Sequence, residues 1–298
     1  MITIGVYDGV HLGHRALIAE ACKVGRHLDL PTAVLTFDRH PAQLINPEHA
    51  PCLLTDLDQK LDLLASTGVD EVEVLPFDDA RRQESAEEFV RKILVGAMSC
   101  RAVVVGRDFH FGHARRGNVE MLRTMGEELG FEVHGLELVP DPGGEPVSST
   151  RVRAALAAGG LSHAARLLGR DHEVRGLVIE GDGRVRDLGA HTANIDVPAG
   201  ICLPAEGIYA GWYERPSGEV RPAAISLGRR FTFYGPEGAL VLEAHLLDFS
   251  GDLYGEPAKL RFVKHLRDQA TYDDVDQLAK QMAADVRDTR AVLGGARA

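Results

Sequence analysis

Hydrophobic and polar positions change their period partway along the chain. From Met1 to about Glu137, short β-rich apolar runs alternate with stretches of helical period. Strands are predicted over residues 2–7, 31–37, 69–75, 102–106 and 131–138. Helices are predicted from Leu12 onward, through Leu17, Ile18 and Ala21, and over 56–66, 86–97 and 119–129. Such alternation marks a parallel sheet covered by helices on both faces. Ligands of these sheets lie beyond the carboxyl ends of the strands. Here those ends carry the segments after Tyr7, Phe37 and Gly106.

A Pro- and Gly-rich stretch from Asp141 to Val147 ends the pattern, and Ser148 to Arg153 opens one more helix, through Ala158. Residues 159–171 read as a linker. Beyond it, β-rich runs at 174–179, 207–212, 223–226, 239–248 and 259–263 are separated by Gly, Pro and polar turns, as in a small antiparallel barrel. Trp212 is expected in its packing. Val275 to Leu293 closes the chain as an amphipathic helix with Leu278, Met282, Val286 and Val292 near one face. Asp273, Asp274 and Asp276 favour its start through the helix dipole. The chain therefore reads as an α/β domain over 1–158, a linker over 159–171 and an all-β domain with a terminal helix over 172–298.

The length of 298 residues fits two domains better than one core. A formal charge of −11 argues against a general nucleic-acid binder, which needs a basic face. An anionic ligand must then be held by local donors, against the overall field. The four cysteines are scattered without a CxxC pair, so neither a zinc knuckle nor a disulfide framework is suggested, and reduced thiols are expected. No run reaches membrane-spanning length and no leader pattern opens the chain, so the expected setting is the cytoplasm, with small-molecule partners and no membrane.

The first predicted strand runs through Gly5, Tyr7 and Asp8 into His11-Leu12-Gly13-His14 at the mouth of a helix. Amide N–H groups there lack intrahelical partners and the dipole is positive, which suits a phosphate chain. Glycines let backbone approach a ligand, and two imidazoles can donate to an oxygen gaining charge in phosphoryl or nucleotidyl transfer. The competing reading is that His11 and His14 cap the helix or bind a metal. Ser149, Thr150 and Arg151 open a second helix and admit the same two readings, cap or phosphate site. His110 and His113 repeat the HxxH spacing, but no third ligand lies nearby, which argues against zinc.

Taken together, these segments resemble the prokaryotic bifunctional riboflavin kinase/FAD synthetases. In the first domain the resemblance rests on Ile4 to His14, on Thr36-Phe37-Asp38-Arg39-His40-Pro41, on Val105 to Gly112 and on Ser148 to Arg153. It implies a Rossmann-like nucleotidyltransferase fold that transfers AMP from ATP to FMN. His11 and His14 would be catalytic, with Gly5, Tyr7, Asp8, Gly13, Ser149, Thr150 and Arg151 on ATP, and Asp108, Phe109 and Phe111 on the flavin. In the second domain Gly181 to Gly189 resembles a glycine-rich flap, with Gly181 and Gly183 on ATP. Thr192 and Asn194 match the positions that hold magnesium and ATP phosphates, and Glu243 the general base that acts on riboflavin.

The departures concentrate in the second domain. Ala190-His191 replaces Phe-Pro, Val185 replaces a glycine and Arg230-Phe231 replaces Asn-Pro. Losing two prolines re-routes the loops around a kinase site. An adenylyltransferase whose barrel only binds flavin is therefore the alternative, and Glu243 as a plain exposed strand residue goes with it. In the first domain Arg39 and Arg107 add positive charge near the expected phosphate path. Relatives carry a short segment before the first strand, so the true start is expected upstream of Met1.

Overall fold

The computed structural model describes residues 1–180, 192–230, 239–272 and 274–294. It divides into two compact units, Met1–Ser149 and Thr150–Ala298. The first holds a parallel sheet of β1 (Ile2–Ile4), β2 (Ala33–Phe37), β3 (Glu71–Leu75), β4 (Ala102–Gly106) and β5 (Glu132–Leu136), in the order β3-β2-β1-β4-β5. The chain winds outward from β1 to β3, then returns to the other side of β1 at β4. That reversal is the switch point at which open α/β sheets bind ligands.

The central strands are apolar on both faces because helices cover both. Ile2, Ile4, Leu35, Val103 and Val105 face one core with Leu94, Leu122 and Met125. Val34 faces the other with Ile18 and Leu64, as does Val104 with Ala21. Ile18, Ala21, Cys22 and Gly25 form the buried stripe of α1 (Leu12–Leu28), and Leu64 belongs to α2 (Leu57–Ala65). The predicted helix over 86–97 forms as one α-helical turn, Ala86–Phe89, running into a π-helical stretch, Val90–Ala97, that supplies Leu94. A further helix, α3 (Val119–Leu129), starts at Asn118, whose side chain accepts the Met121 N–H. At the sheet's edge β3 alternates Glu71 and Glu73 with Val72 and Val74, the charged pattern that keeps an edge strand from pairing further.

In the second unit, residues 159–171 are not a linker. They contain α5 (Leu161–Leu168), which follows α4 (Ser149–Ala157) and buries Leu161, Ala164, Leu167 and Leu168. Leucines at this helical spacing need a surface to cover, and α5 packs on the barrel strands at 172–179 and 257–267. The barrel closes in the order β8-β9-β10-β7-β6-β11, with β6 His172–Ile179, β7 Thr192–Asp196, β8 Gly207–Glu214, β9 Val220–Arg230, β10 Ala239–Leu246 and β11 Pro257–Arg267. Strand β7 was not predicted, since Thr-Ala-Asn-Ile-Asp is too polar to stand out as a run. The last helix, α6 (Val275–Leu293), begins at Asp274, which caps it by accepting the Gln277 N–H at 2.7 Å. Its Leu293 packs on Ala210 and Trp212, the packing role expected of that tryptophan.

Candidate functional sites at a sheet edge and on a barrel face

The carboxyl end of β1 turns sharply. Tyr7 and Val10 take left-handed backbone conformations (φ 52° and 36°), costly for residues with a side chain and most of all for a β-branched one. Tyr7, expected on ATP, has its side chain buried; its hydroxyl shares a 2.6 Å hydrogen bond with Thr3 Oγ1 and its ring meets His14 edge-on at 5.1 Å. Burial pushes its phenol pKa up. A Cβ on Gly5 would lie 3.1 Å from that ring, so Gly5 makes room for Tyr7. The Asp8 carboxylate is also spent within the fold: it accepts the Leu54 N–H at 2.9 Å and the Thr55 N–H at 3.2 Å, fixing the turn to the next loop.

What remains for a ligand is the helix mouth. His11 is the N-cap of α1, and its Nδ1 accepts the His14 N–H at 3.3 Å. An accepting Nδ1 carries no proton, which places the hydrogen of neutral His11 on Nε2. The two imidazoles stack at 3.6 Å and 16°, so they act as one unit. A Cβ on Gly13 would stand 3.1 Å from the His11 ring and 3.3 Å from Val147 O, so a side chain there would crowd the imidazole and the second segment. Among the described residues no acceptor meets the N–H groups of Leu12 and Gly13. Ser149 Oγ donates to Asp8 O at 2.8 Å across 141 positions, joining the second predicted segment to the first. Thr150 and Arg151 follow in the first turn of α4.

On the other side of the switch point, β4 leads into Asp108 and Phe109. Phe109 is half-buried and stacks on Phe111 at 5.4 Å. Phe111 is buried in the core against Phe89. Asp108 is exposed. Arg39 and Arg107 are paired with Asp38 and Glu137, which offsets the charge expected of them. His110 and His113 bond to backbone carbonyls, and no group of three metal-ligating side chains occurs among the described residues.

One residue was missed. Lys60 on α2 is buried, and its Nζ donates to Phe37 O at 2.6 Å and to Val6 O at 3.4 Å. Burial lowers its pKa, opposed by the fields of Asp8 and Asp38. The signal was present: with Leu57, Leu61 and Leu64 it completes an i, i+3, i+4, i+7 face.

In the barrel, register builds the site. Leu242, Ala244 and Leu246 of β10 are buried, so Glu243 and His245 alternate to the opposite face. Asn194, Glu243, Ser226, Ile208 and Arg267 form one row across five strands, and Thr192 pairs with His245 in the next. Between this face and α6 lies a cavity of about 460 Å³, lined by Thr192, Glu243 and His245 on the strands and Leu278, Met282 and Val286 on the helix. That volume suits a small molecule, with apolar side chains mainly on the helix and polar ones, Glu243, His245 and Ser226 among them, on the strands. Arg267 closes one end in a bidentate pair with Asp285 of α6 (2.8 and 2.7 Å), and Gln281 also donates to Asp285 at 3.0 Å. The pair raises the Arg267 pKa. Gly181 and Gly183, with Val185, Ala190, His191 and Phe231, lie outside the described residues.

Family models match both halves of the chain: FAD synthetase over residues 1–151 and riboflavin kinase over 168–293. Curated bifunctional riboflavin kinase/FMN adenylyltransferases align almost end to end. The Escherichia coli (strain K12) protein is 36% identical over 99% of this chain and 93% of its own, and that of Pseudomonas fluorescens 37% identical over 97% and 92%. The chain belongs to the bifunctional riboflavin kinase/FMN adenylyltransferase family. A solved structure described as a macrolide-efflux protein from Streptococcus pneumoniae shares the fold, with TM-score 0.86 and 31% identity over 97% of this chain and 93% of that one. No helix among the described residues is long and apolar enough to cross a membrane. Because both modules of the family stand on one chain, FAD synthesis and riboflavin phosphorylation are its two activities, with ATP, FMN and riboflavin as substrates. A barrel that only holds flavin is not favoured.

Proposed function

We propose that the two reactions run at the two sites built above, in the cytoplasm. At the sheet edge, the FMN phosphate attacks the α-phosphorus of ATP in line and pyrophosphate leaves. The attacking phosphate is already ionised near neutral pH, so the site needs no base; it supplies position and charge neutralisation. His11 and His14 meet the reacting phosphates beside the open amides of α1, backed by the close approach at Gly13. Ser149, Thr150 and Arg151 take the leaving pyrophosphate. Asp108 and Phe109 meet the flavin. The observation that carries this reading is the Ser149 to Asp8 hydrogen bond of 2.8 Å, which joins both phosphate-suited segments of the sequence.

At the barrel face, Glu243 accepts the proton of the riboflavin 5′-hydroxyl as the γ-phosphoryl group is transferred. The hydroxyl of Thr192 and the amide oxygen of Asn194 are hard donors one strand away from Glu243, a set that fits magnesium. Magnesium, when bound, neutralises charge on the ATP phosphates. Gly181 and Gly183 are assigned to ATP on the family's pattern alone.

The test is His14→Ala in the full chain. FAD formation from FMN should fall by about 10²- to 10³-fold, the range for deleting one preorganised donor. Riboflavin phosphorylation should be unchanged. Wild-type FAD formation would remove the histidines from the reaction.

A further inference from the structure

The β1 ladder ends at Ile4, and the chain must then leave the sheet and deliver His11 through three left-handed residues, Tyr7, Gly9 and Val10. Such a turn persists only if its peptide groups are held. Asp8 holds its far side through Leu54 and Thr55, and its near side is held at the carbonyl of Val6, which accepts from Thr36 Oγ1 at 3.2 Å and from Lys60 Nζ at 3.4 Å. The same ammonium donates at 2.6 Å to Phe37 O, the last carbonyl of β2, where the chain enters Asp38 and Arg39. Lys60 comes from a third element, α2, and is 6% exposed. A charged group is buried this deeply only against a return. Two carbonyls at the carboxyl ends of adjacent strands are that return, and both strands lead into loops of the adenylyl-transfer site.

We propose that Lys60 is a positioning residue for adenylyl transfer: its buried ammonium ties Val6 to Phe37, orients the Tyr7–Val10 turn and so sets where His11 and His14 meet the phosphates. It acts through the backbone and touches no substrate. The inference rests on the histidine reading above. It separates Lys60 from the ligand-facing groups, because a group that only shapes the turn changes the rate of the bound complex more than the binding of either substrate.

The test is Lys60→Met in the full chain, with both reactions followed on one preparation. Expected is a loss of about tenfold or more in kcat for FAD formation, with KM for ATP and FMN changed less than about threefold. Riboflavin phosphorylation, carried by the other unit, should stay at the wild-type rate. An unchanged kcat, a loss confined to KM, or an equal loss of both activities overturns the proposal. If Lys60→Met does not fold, Thr36→Val decides, since it removes the other hydrogen bond on Val6 O. A drop of about threefold in the same kcat supports the proposal, and a wild-type kcat overturns it. His14→Ala separates the two failures: if it is inactive while Lys60→Met is normal, only the role of Lys60 falls.

Discussion

The two proposed sites are built differently: turns at the edge of the parallel sheet would carry the adenylyl transfer, whereas strand register on the barrel face would carry the phosphorylation. The first site takes amides, a stacked imidazole pair and a serine from segments that only the crossovers bring together. The second takes Asn194, Glu243 and Ser226 from three adjacent strands, where the period of two settles which side chains share a face. The difference follows the acceptor. An ionised phosphate needs only to be placed, so backbone donors suffice, but a neutral hydroxyl needs a base, and a base is a side chain.

Breaking the comparison at its strongest point means removing that base. Glu243→Gln keeps shape and register, and riboflavin phosphorylation should fall by about 10²- to 10⁴-fold while FAD formation from supplied FMN is unchanged. A time course of riboflavin, FMN and FAD by chromatography reads both. The reciprocal result, for His14→Ala, is smaller. Together they form a double dissociation, and loss of both activities in either variant would deny that the sites are separate.

Acidity should also divide the units. His172 of β6 is fully buried with Nε2 against Cys202 O, and burial lowers its pKa from 6.5 to about 4. The unfolded chain therefore takes up a proton that the folded barrel refuses between those values. Stability from this group is complete above about pH 6.5 and declines as pH falls to about 4, by about 3 kcal/mol in all. Thermal melting of the full chain against pH should show the barrel transition moving down in this window, and His172→Gln should flatten it. A transition independent of pH there would refute the assignment.

The smallest effect sharpens the picture of the cavity. Asp285→Asn breaks the bidentate pair that fastens α6 over the barrel face, and we expect about 1–2 kcal/mol of lost stability together with a raised KM for riboflavin. FMN adenylation should not respond. Urea melts and steady-state kinetics on the same variant check both statements.

Most elements were legible because their periods were clean. The stripe of Ile18, Ala21, Cys22 and Gly25 and the two-sided runs of β2 and β4 have one reading each. Strand β7 and helix α5 were not read, the first too short and polar, the second only eight residues long between Gly160 and Gly169. In the sites, residue type named candidates but not their employment. Tyr7, Asp8 and Phe111 look like ligand groups in sequence and serve packing and turn geometry in the fold. Lys60 looks like a surface lysine and is buried at the sheet's carboxyl edge.

The sequence by itself determined the two-domain plan, the positions of the HxGH and Ser-Ser-Thr-Arg segments and the candidate base, because hydrophobic period, turn chemistry and side-chain type are local properties. Only the tertiary structure decided which polar groups remain open to a ligand. Whether a carboxylate or hydroxyl is spent on a distant amide depends on which segments meet, as Asp8 meets Leu54 and Ser149 meets Asp8, and a linear chain does not carry that distance.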